Sequence, residues 1–267
     1  MSYRMFFGFA REPFTADLDL DGILQTEDLL GVSQRVEYVM RIGAIGLVTG
    51  EVGAGKSTAL RWTVGQLHPS KYKPLWVTAT SGSILEVYRQ LLAELDIHTA
   101  ASSRAVLTRR IKQQVLELVS GKKQQPLLII DEASLLRLDV FAELHTLTQF
   151  QGDSKPWLPI ILAGQNNLAD NLLYRTAVPL ASRIVARSHL KAVNREGMQQ
   201  YIEHHLNVTG VKNSPFEEQA VTAIHQGSGG LYRKANHLAR GALIAATAEK
   251  SQAVTADHVR IADSELL

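Results

Sequence analysis

At 267 residues, with 45% hydrophobic and 20% charged side chains, the chain has the composition of a globular protein with a sizeable core, which excludes a disordered or fibrous class. The absence of cysteine excludes a disulfide framework, thiolate chemistry and cysteine-based zinc sites, and it fits a reducing compartment. A formal charge of +2 tolerates a polyanionic partner without requiring one; no apolar run reaches the ~20 residues of a membrane span, so a cytoplasmic protein with no membrane partner is expected.

The opening MSYRMFFGFAREPF carries an apolar patch, but Arg4 and Arg11 bracket it and Pro13 closes it, which is unlike a signal peptide. Asp17, Asp19, Asp21, Gly22 and Asp28 approximate a calcium loop. Gly8 and Pro13 interrupt the entering helix, and aspartate stands where a bidentate glutamate is needed, so an acidic connecting loop is the better reading. Five short apolar runs follow, Ala44–Thr49, Pro74–Ala79, Leu127–Asp131, Leu158–Ala163 and Ile184–Leu190, alternating with helical patterns. That alternation predicts an α/β fold, a doubly wound parallel five-stranded sheet covered by helices. Ser83 and Glu86 suggest a capping box, and a second helix over Ala105–Val119 is expected to end against Gly121.

After Asn194 every segment reads as helix, with Asn194 and Ser214 as N-caps, Pro215 at a first helical position, and Gly210 and Gly227 as stops. The expected organisation is an α/β domain over 1–193 and a C-terminal all-α lid domain over 194–267. His204 and His205 lack metal-ligand spacing and read as solvated helix positions.

The stretch LVTGEVGAGKST is the most informative. Gly50, Gly53, Gly55, Lys56 and Ser57 match the phosphate-loop pattern, placed between a strand and a helix. Glycines let main-chain N–H groups converge on a β-phosphate, the following helix points its positive end at the same anion, Lys56 bridges phosphates and Ser57 ligates Mg2+. The expected nucleotide-binding residues therefore run through the loop: Gly50, Glu51, Val52, Gly53, Ala54, Gly55, Lys56, Ser57 and Thr58. Downstream, PLLIIDEA ends a buried strand in Asp131 and Glu132, which delivers two carboxylates to the sheet edge. Asp131 is expected to hold the metal and Glu132 to polarise the attacking water. The run LPIILAG leads to Gln165, an amide positioned to touch the γ-phosphate and the water, with Asn166 as the second choice.

Together these residues resemble the AAA+ ATPases, P-loop NTPases, and within them the bacterial group that includes secretion ATPases of the ExeA kind and transposition regulators of the TniB and TnsC kinds. The resemblance runs from MSYRMFFGFAREPF through GEVGAGKST, LLIIDEA, LAGQNNL and LASRIVARSHL to GSGGLYRKANHLARGALIAA and TADHVRIADSEL. It implies ATP with Mg2+, and a homo-oligomer, ring or filament, whose active sites form between neighbours. Arg183 in LASRI then corresponds to the arginine that reaches into a neighbour's ATP, with Arg187 and Arg175 as weaker candidates. Arg233 corresponds to the arginine that couples the γ-phosphate to the lid, and Phe14 lines an adenine pocket.

What ATP drives is read in two ways. The first is a transposition regulator that binds duplex DNA, sequence-independently, when ATP is bound, and directs a transposase to its target. Lys71, Lys73, Arg104, Arg109, Arg110, Lys112, Lys122 and Lys123 are available for phosphate contact, and the loop TATSGS adds hydroxyl and backbone donors. The second is a secretion-assembly ATPase, whose family carries a membrane span and a cell-wall-binding region after the ATPase; their absence before Leu267 favours the DNA reading.

Overall fold

The computed structural model describes residues 2–266. In chain order, α1 (Tyr3–Phe7) and α2 (Glu27–Ile42) precede β1 (Ile45–Gly50) and α3 (Lys56–Gly65). Then come β2 (Tyr72–Thr78), α4 (Ile84–Glu94), α5 (Arg104–Leu116), β3 (Gln125–Asp131) and α6 (Leu138–Leu144). The α/β part closes with β4 (Ile160–Gly164), α7 (Asn167–Asn171), α8 (Val178–Ala181) and β5 (Ile184–Leu190). Four helices follow: α9 (Arg195–Val208), α10 (Glu218–Ser228), α11 (Tyr232–Ala248) and α12 (Ala256–Ser264). By contacts the chain divides into a sheet unit, Thr26–Gly50 with Lys56–Leu190, and a helical unit, Met1–Gln25 with Glu51–Gly55 and Lys191–Leu267. The first 25 residues thus group with the C-terminal helices, whereas the sequence reading assigned them to the α/β domain.

In the sheet unit the five strands lie in the order β2-β3-β4-β1-β5, all parallel, as the alternating pattern predicted. The central strands are buried along nearly their whole length, whereas the edge strand β5 alternates. This is the pattern of a parallel sheet covered on both faces. The core gathers Leu75, Leu107, Ile111, Leu128, Ile130, Phe141 and Leu162, none more than 1% exposed.

Helix α2 stands where the sequence reading assigned no element. Thr26 caps it by accepting from Leu29 N–H at 3.2 Å, and Val32, Val36 and Val39 form its buried face. It ends at Gly43 with φ 66°, and a side chain there would run into the Pro156 carbonyl at 2.2 Å, so only glycine fits. The capping box of α4 does not form. Ser83 makes no cap bond with its side chain, and the Glu86 carboxylate instead accepts the Thr80 hydroxyl at 2.6 Å, a local alternative that satisfies both groups. Helix α5 gives way after Leu116 to a π turn over Glu117–Gly121.

In the helical unit, Phe9, Phe14, Met198, Ile202, Leu206, Leu238 and Leu243 form the core of α9–α12. Asn194 caps α9 as expected, accepting from Gly197 N–H at 2.8 Å. Two boundaries differ from expectation. Ser214 folds its hydroxyl back onto Phe216 N–H at 3.1 Å and Phe216 bridges to Val254, so α10 begins only at Glu218. Its stop is Gly229, at φ 59°, rather than Gly227, because a left-handed residue is needed to turn the chain toward Gly230 and α11. His204 and His205 are not solvated: His204 Nε2 bonds the Gly22 carbonyl at 2.8 Å, and His205 is 2% exposed.

Candidate active site

The sheet unit assembles one constellation at the carboxyl ends of β1, β3 and β4, the edge where parallel α/β sheets bind ligands. Lys56, 6% exposed, opens α3 and donates from Nζ to the Gly50 carbonyl at 2.9 Å. One residue on, the Ser57 hydroxyl donates to Asp131 Oδ2 at 2.8 Å. The other carboxylate oxygen, Oδ1, accepts from Glu132 N–H at 2.9 Å. Glu132 has φ 53°, a left-handed conformation that ends β3 abruptly and leaves its half-buried side chain beyond the strand. Gln165 follows β4, and its N–H bonds the Ser134 hydroxyl at 3.3 Å, while Asn166 and Asn167 are exposed. Ser134 is a positioning residue the sequence reading missed. It approaches so closely that a Cβ on Gly164 would lie 2.8 Å from its amide nitrogen.

Hard oxygen donors on Ser57 and Asp131, beside a buried ammonium, suit a divalent cation and a phosphate chain. The glycine loop fits the same purpose. Gly53 and Gly55 have φ of 86° and 95°, which leaves backbone N–H groups uncovered by side chains.

The loop residues Glu51–Gly55 lie in the helical unit. Ala54 is buried, its N–H bonded to the Glu51 carbonyl at 3.2 Å, while Glu51 and Val52 are exposed. Gly53 accepts from Arg233 N–H at 3.3 Å, and a Cβ on it would meet the Arg233 Cβ at 2.8 Å. Tyr232 stands over Gly55, at 3.4 Å from where a Cβ would be. Arg233 therefore does sit beside the loop, and Lys234 points away to pair with Asp263 at 3.3 Å. From Arg233 a cavity of about 380 Å³ runs along α11, lined by Phe14, Asp17, Arg233, Asn236, His237 and Arg240. Phe14 contributes little open surface to it, being 1% exposed and stacked on His205 at 5.2 Å between ring centroids. Asn236, His237 and Arg240 were missed by sequence reading, although helical spacing from Arg233 places them on one face.

Arg183 lies at the opposite edge of the sheet. Its carbonyl accepts Ile45 N–H, the start of β1, so it stands roughly 16 Å from Gly50 at about 3.3 Å per strand residue. Its guanidinium pairs with Asp153 at 2.7 Å. Arg175 and Arg187 are exposed. Of the other basic residues, Lys73 pairs with Asp96 at 3.7 Å, Arg104 with Glu143 at 2.5 Å, and Lys112 donates to the Gln149 carbonyl at 2.9 Å. Lys71, Arg109, Arg110, Lys122 and Lys123 are exposed.

A family model described as an AAA domain matches residues 41–172, the stretch that holds the glycine loop, Asp131, Glu132 and Gln165. Residues 41–172 thus resemble an AAA domain, and they are set in the parallel five-stranded fold of the AAA+ P-loop NTPases. Along 99% of its length the chain is 28% identical to General secretion pathway protein A of Aeromonas hydrophila, and it spans about half, 48%, of that relative. Its fold is similar to that of Cdc6p from Pyrobaculum aerophilum, with TM-score 0.74 at 14% identity over 95% of this chain and 70% of that one. The Aeropyrum pernix ORC1 protein, solved in complex with DNA, matches at TM-score 0.71 and 16% identity over 95% of this chain and 68% of that one. Among the described residues no helix is long and apolar enough to cross a membrane.

Proposed function

We propose that this protein is an ATPase, which binds ATP with Mg2+ on the loop Gly50–Thr58 and hydrolyses it at a site completed by a second copy of the chain. The hydrogen bond from Ser57 to Asp131 carries the reading, because it brings together the two oxygen donors of a cation site at the start of the helix that follows the glycine loop in the chain. Ser57 and Asp131 would hold Mg2+, which when bound would supply charge neutralisation at the phosphate oxygens. Lys56 adds its ammonium to the same oxygens, exchanging its bond to the Gly50 carbonyl for the phosphate. Glu132 accepts a proton from the water that attacks the γ-phosphorus, Gln165 orients that water, and the bond to the bridging oxygen breaks to give ADP and phosphate. Residues 1–193 act as the nucleotide-binding domain and 194–267 as the lid, with Arg233 reporting the γ-phosphate from α11.

Arg183 is the trans-acting arginine in this proposal. Its place at the amino end of β1 supports the role, since about 16 Å of strand separates its backbone from Gly50 at the other end. Asp153 holds it until a neighbour arrives.

The task coupled to hydrolysis has two readings. Similarity to General secretion pathway protein A along 99% of the chain supports an assembly ATPase of the secretion kind. Exposed Lys71, Arg109, Arg110, Lys122 and Lys123, and a fold shared with an ORC1 protein solved on DNA, support ATP-dependent binding to duplex DNA, with a transposase as the partner it directs. Against the second reading, the TATSGS loop is closed on itself by the Thr80–Glu86 bond, with a carboxylate where DNA phosphates would approach.

Nucleotide binding by Lys56→Ala tests the core of the proposal, and undiminished ATP affinity and turnover would overturn it. For the coupled task, the protein is mixed with duplex DNA and a non-hydrolysable ATP analogue at low salt. Salt-sensitive co-sedimentation selects the DNA reading. No change in sedimentation or ATPase rate removes it.

A further inference from the structure

The sheet has two edge strands, β2 and β5, and the chain treats them differently. In a parallel ladder the residues of a strand turn their N–H and C=O groups alternately to one side and the other, so half of an edge strand's backbone points away from the sheet. On β2, Gln125 N–H bonds the Lys71 carbonyl and Ala79 N–H bonds the Asp131 carbonyl, which turns Tyr72, Pro74, Trp76 and Thr78 outward. No donor there is left over. Tyr72 N–H bonds the His68 carbonyl at 3.1 Å, and Pro74 has no N–H. Trp76 N–H meets Glu94 Oε2 at 3.0 Å. The Gln90 amide accepts Thr78 N–H at 3.1 Å and donates to the Thr78 carbonyl at 3.0 Å, standing in for a residue of a further strand. On β5 nothing of the kind occurs. Ile45 N–H bonds the Arg183 carbonyl, so Ile45, Leu47 and Thr49 face β5, and the register partners Arg187 and His189 turn their own backbone groups away from the sheet. Neither N–H has a hydrogen-bond partner among the described residues. Both side chains are exposed, as is Val185, and β5 carries no carboxylate. Arg187 makes no ion pair among the described residues.

We propose that the β5 edge is a docking site for an extended acidic segment of a partner protein, which adds to the sheet as a further strand. The outward N–H and C=O groups of Arg187 and His189 supply main-chain bonds, and the Arg187 guanidinium pairs with a carboxylate on the incoming strand. Seven residues, Ile184–Leu190, give β5 the length of an ordinary strand partner. Charge selects the occupant. A second copy of β5 would bring the basic side chains of two edges together, and like charges opposite one another disfavour that pairing. The same acidic segment is turned away from β2, where the outward donors are already used and the Glu94 carboxylate lies on the edge.

The test measures, by fluorescence anisotropy on the full chain, binding of a labelled synthetic peptide of alternating Glu and Val. Two further probes are the same peptide with Lys in place of Glu, and the acidic peptide with its backbone nitrogens methylated. The acidic peptide is expected to bind saturably, and each of the other two about tenfold more weakly or worse, since one loses the charge match and the other the main-chain donors. Arg187→Glu is expected to reverse the preference in favour of the Lys peptide. His189→Pro removes one outward N–H and leaves the bonds to β1 in place, so it is expected to weaken the acidic peptide about tenfold. Should the proline variant fail to fold, as circular dichroism would show, Arg187→Glu decides alone. Absence of saturable binding by the acidic peptide would overturn the proposal. Equal binding of the methylated peptide would make the contact one of charge only and overturn strand addition. Affinity unchanged by Arg187→Glu but raised by Gln90→Ala would place the peptide on β2 and overturn the assignment to β5.

Discussion

His205 predicts a pH dependence of stability that a single substitution removes. The ring is 2% exposed, stacked on Phe14 at 5.2 Å and edge-on to Tyr201 at 4.5 Å, and its Nδ1 has no hydrogen-bond partner. Desolvation, with smaller contributions from the charges of His204 and Arg11, lowers its pKa from 6.5 to about 4. The sign follows directly. Below pH 6.5 the unfolded chain takes up a proton that the folded chain refuses until about pH 4, so stability is full above 6.5 and falls as the pH drops. At pH 5 the loss from this one group is about 2 kcal/mol, and its ceiling below pH 4 is about 3 kcal/mol. Urea unfolding followed by circular dichroism at pH 7.5 and pH 5 measures it. His205→Phe keeps a ring between Phe14 and Tyr201 and removes the titration, while carboxylates and other histidines cancel in the comparison. Wild type is expected to lose about 2 kcal/mol more than the variant over that interval. Parallel pH profiles for the two proteins would show that the ring is solvated or paired, and the burial argument would be wrong.

Further outcomes follow from the site and from the backbone. Glu132→Gln is expected to retain ATP binding, measured by equilibrium dialysis, while turnover falls by a factor on the order of 10²–10⁴, since a positioned base is lost and the charge cradle remains. Arg183→Ala is expected to abolish most hydrolysis, on the order of 10³-fold, at every protein concentration while ATP still binds. In a purely structural role for Arg183, Asp153→Asn would instead reproduce that loss. Gly43→Ala is expected to destabilise the chain by about 2 kcal/mol in chemical unfolding, because φ 66° is strained for alanine and its Cβ collides with the Pro156 carbonyl.

The central sheet and the phosphate loop were legible because their signals are local: a continuous apolar run such as Leu127–Ile130 is buried on both faces whatever surrounds it, and glycine spacing sets loop geometry within a few residues. Helix α2 was equally local in its Thr26 cap, its Val32, Val36 and Val39 face and its Gly43 terminus, yet the aspartates before it drew the reading toward a loop. Boundaries failed where a side chain chose between near partners, as Ser214 and Glu86 did. Cap residues compete with turns for the same backbone groups, and sequence alone does not rank the two.

The site residues that escaped depend on contacts between distant parts of the chain. His205 stands seven residues after Met198 and next to Leu206, on the apolar face of α9, so its inward direction was available from helical periodicity. Its partner Phe14, nearly two hundred positions earlier, was not. The same holds for Arg183, whose motif resemblance suggested a role without revealing Asp153 thirty residues before it. That ion pair changes the physical question. An arginine free in solvent costs little to redirect, whereas a partly buried one already bonded to a carboxylate at 2.7 Å must exchange that bond for a phosphate. If Arg183 acts in trans, assembly on ATP is therefore a competition between Asp153 and a neighbour's γ-phosphate, and Asp153→Ala should lower the protein concentration at which ATPase activity reaches half its maximum. An unchanged midpoint would mean that Asp153 does not hold the arginine back.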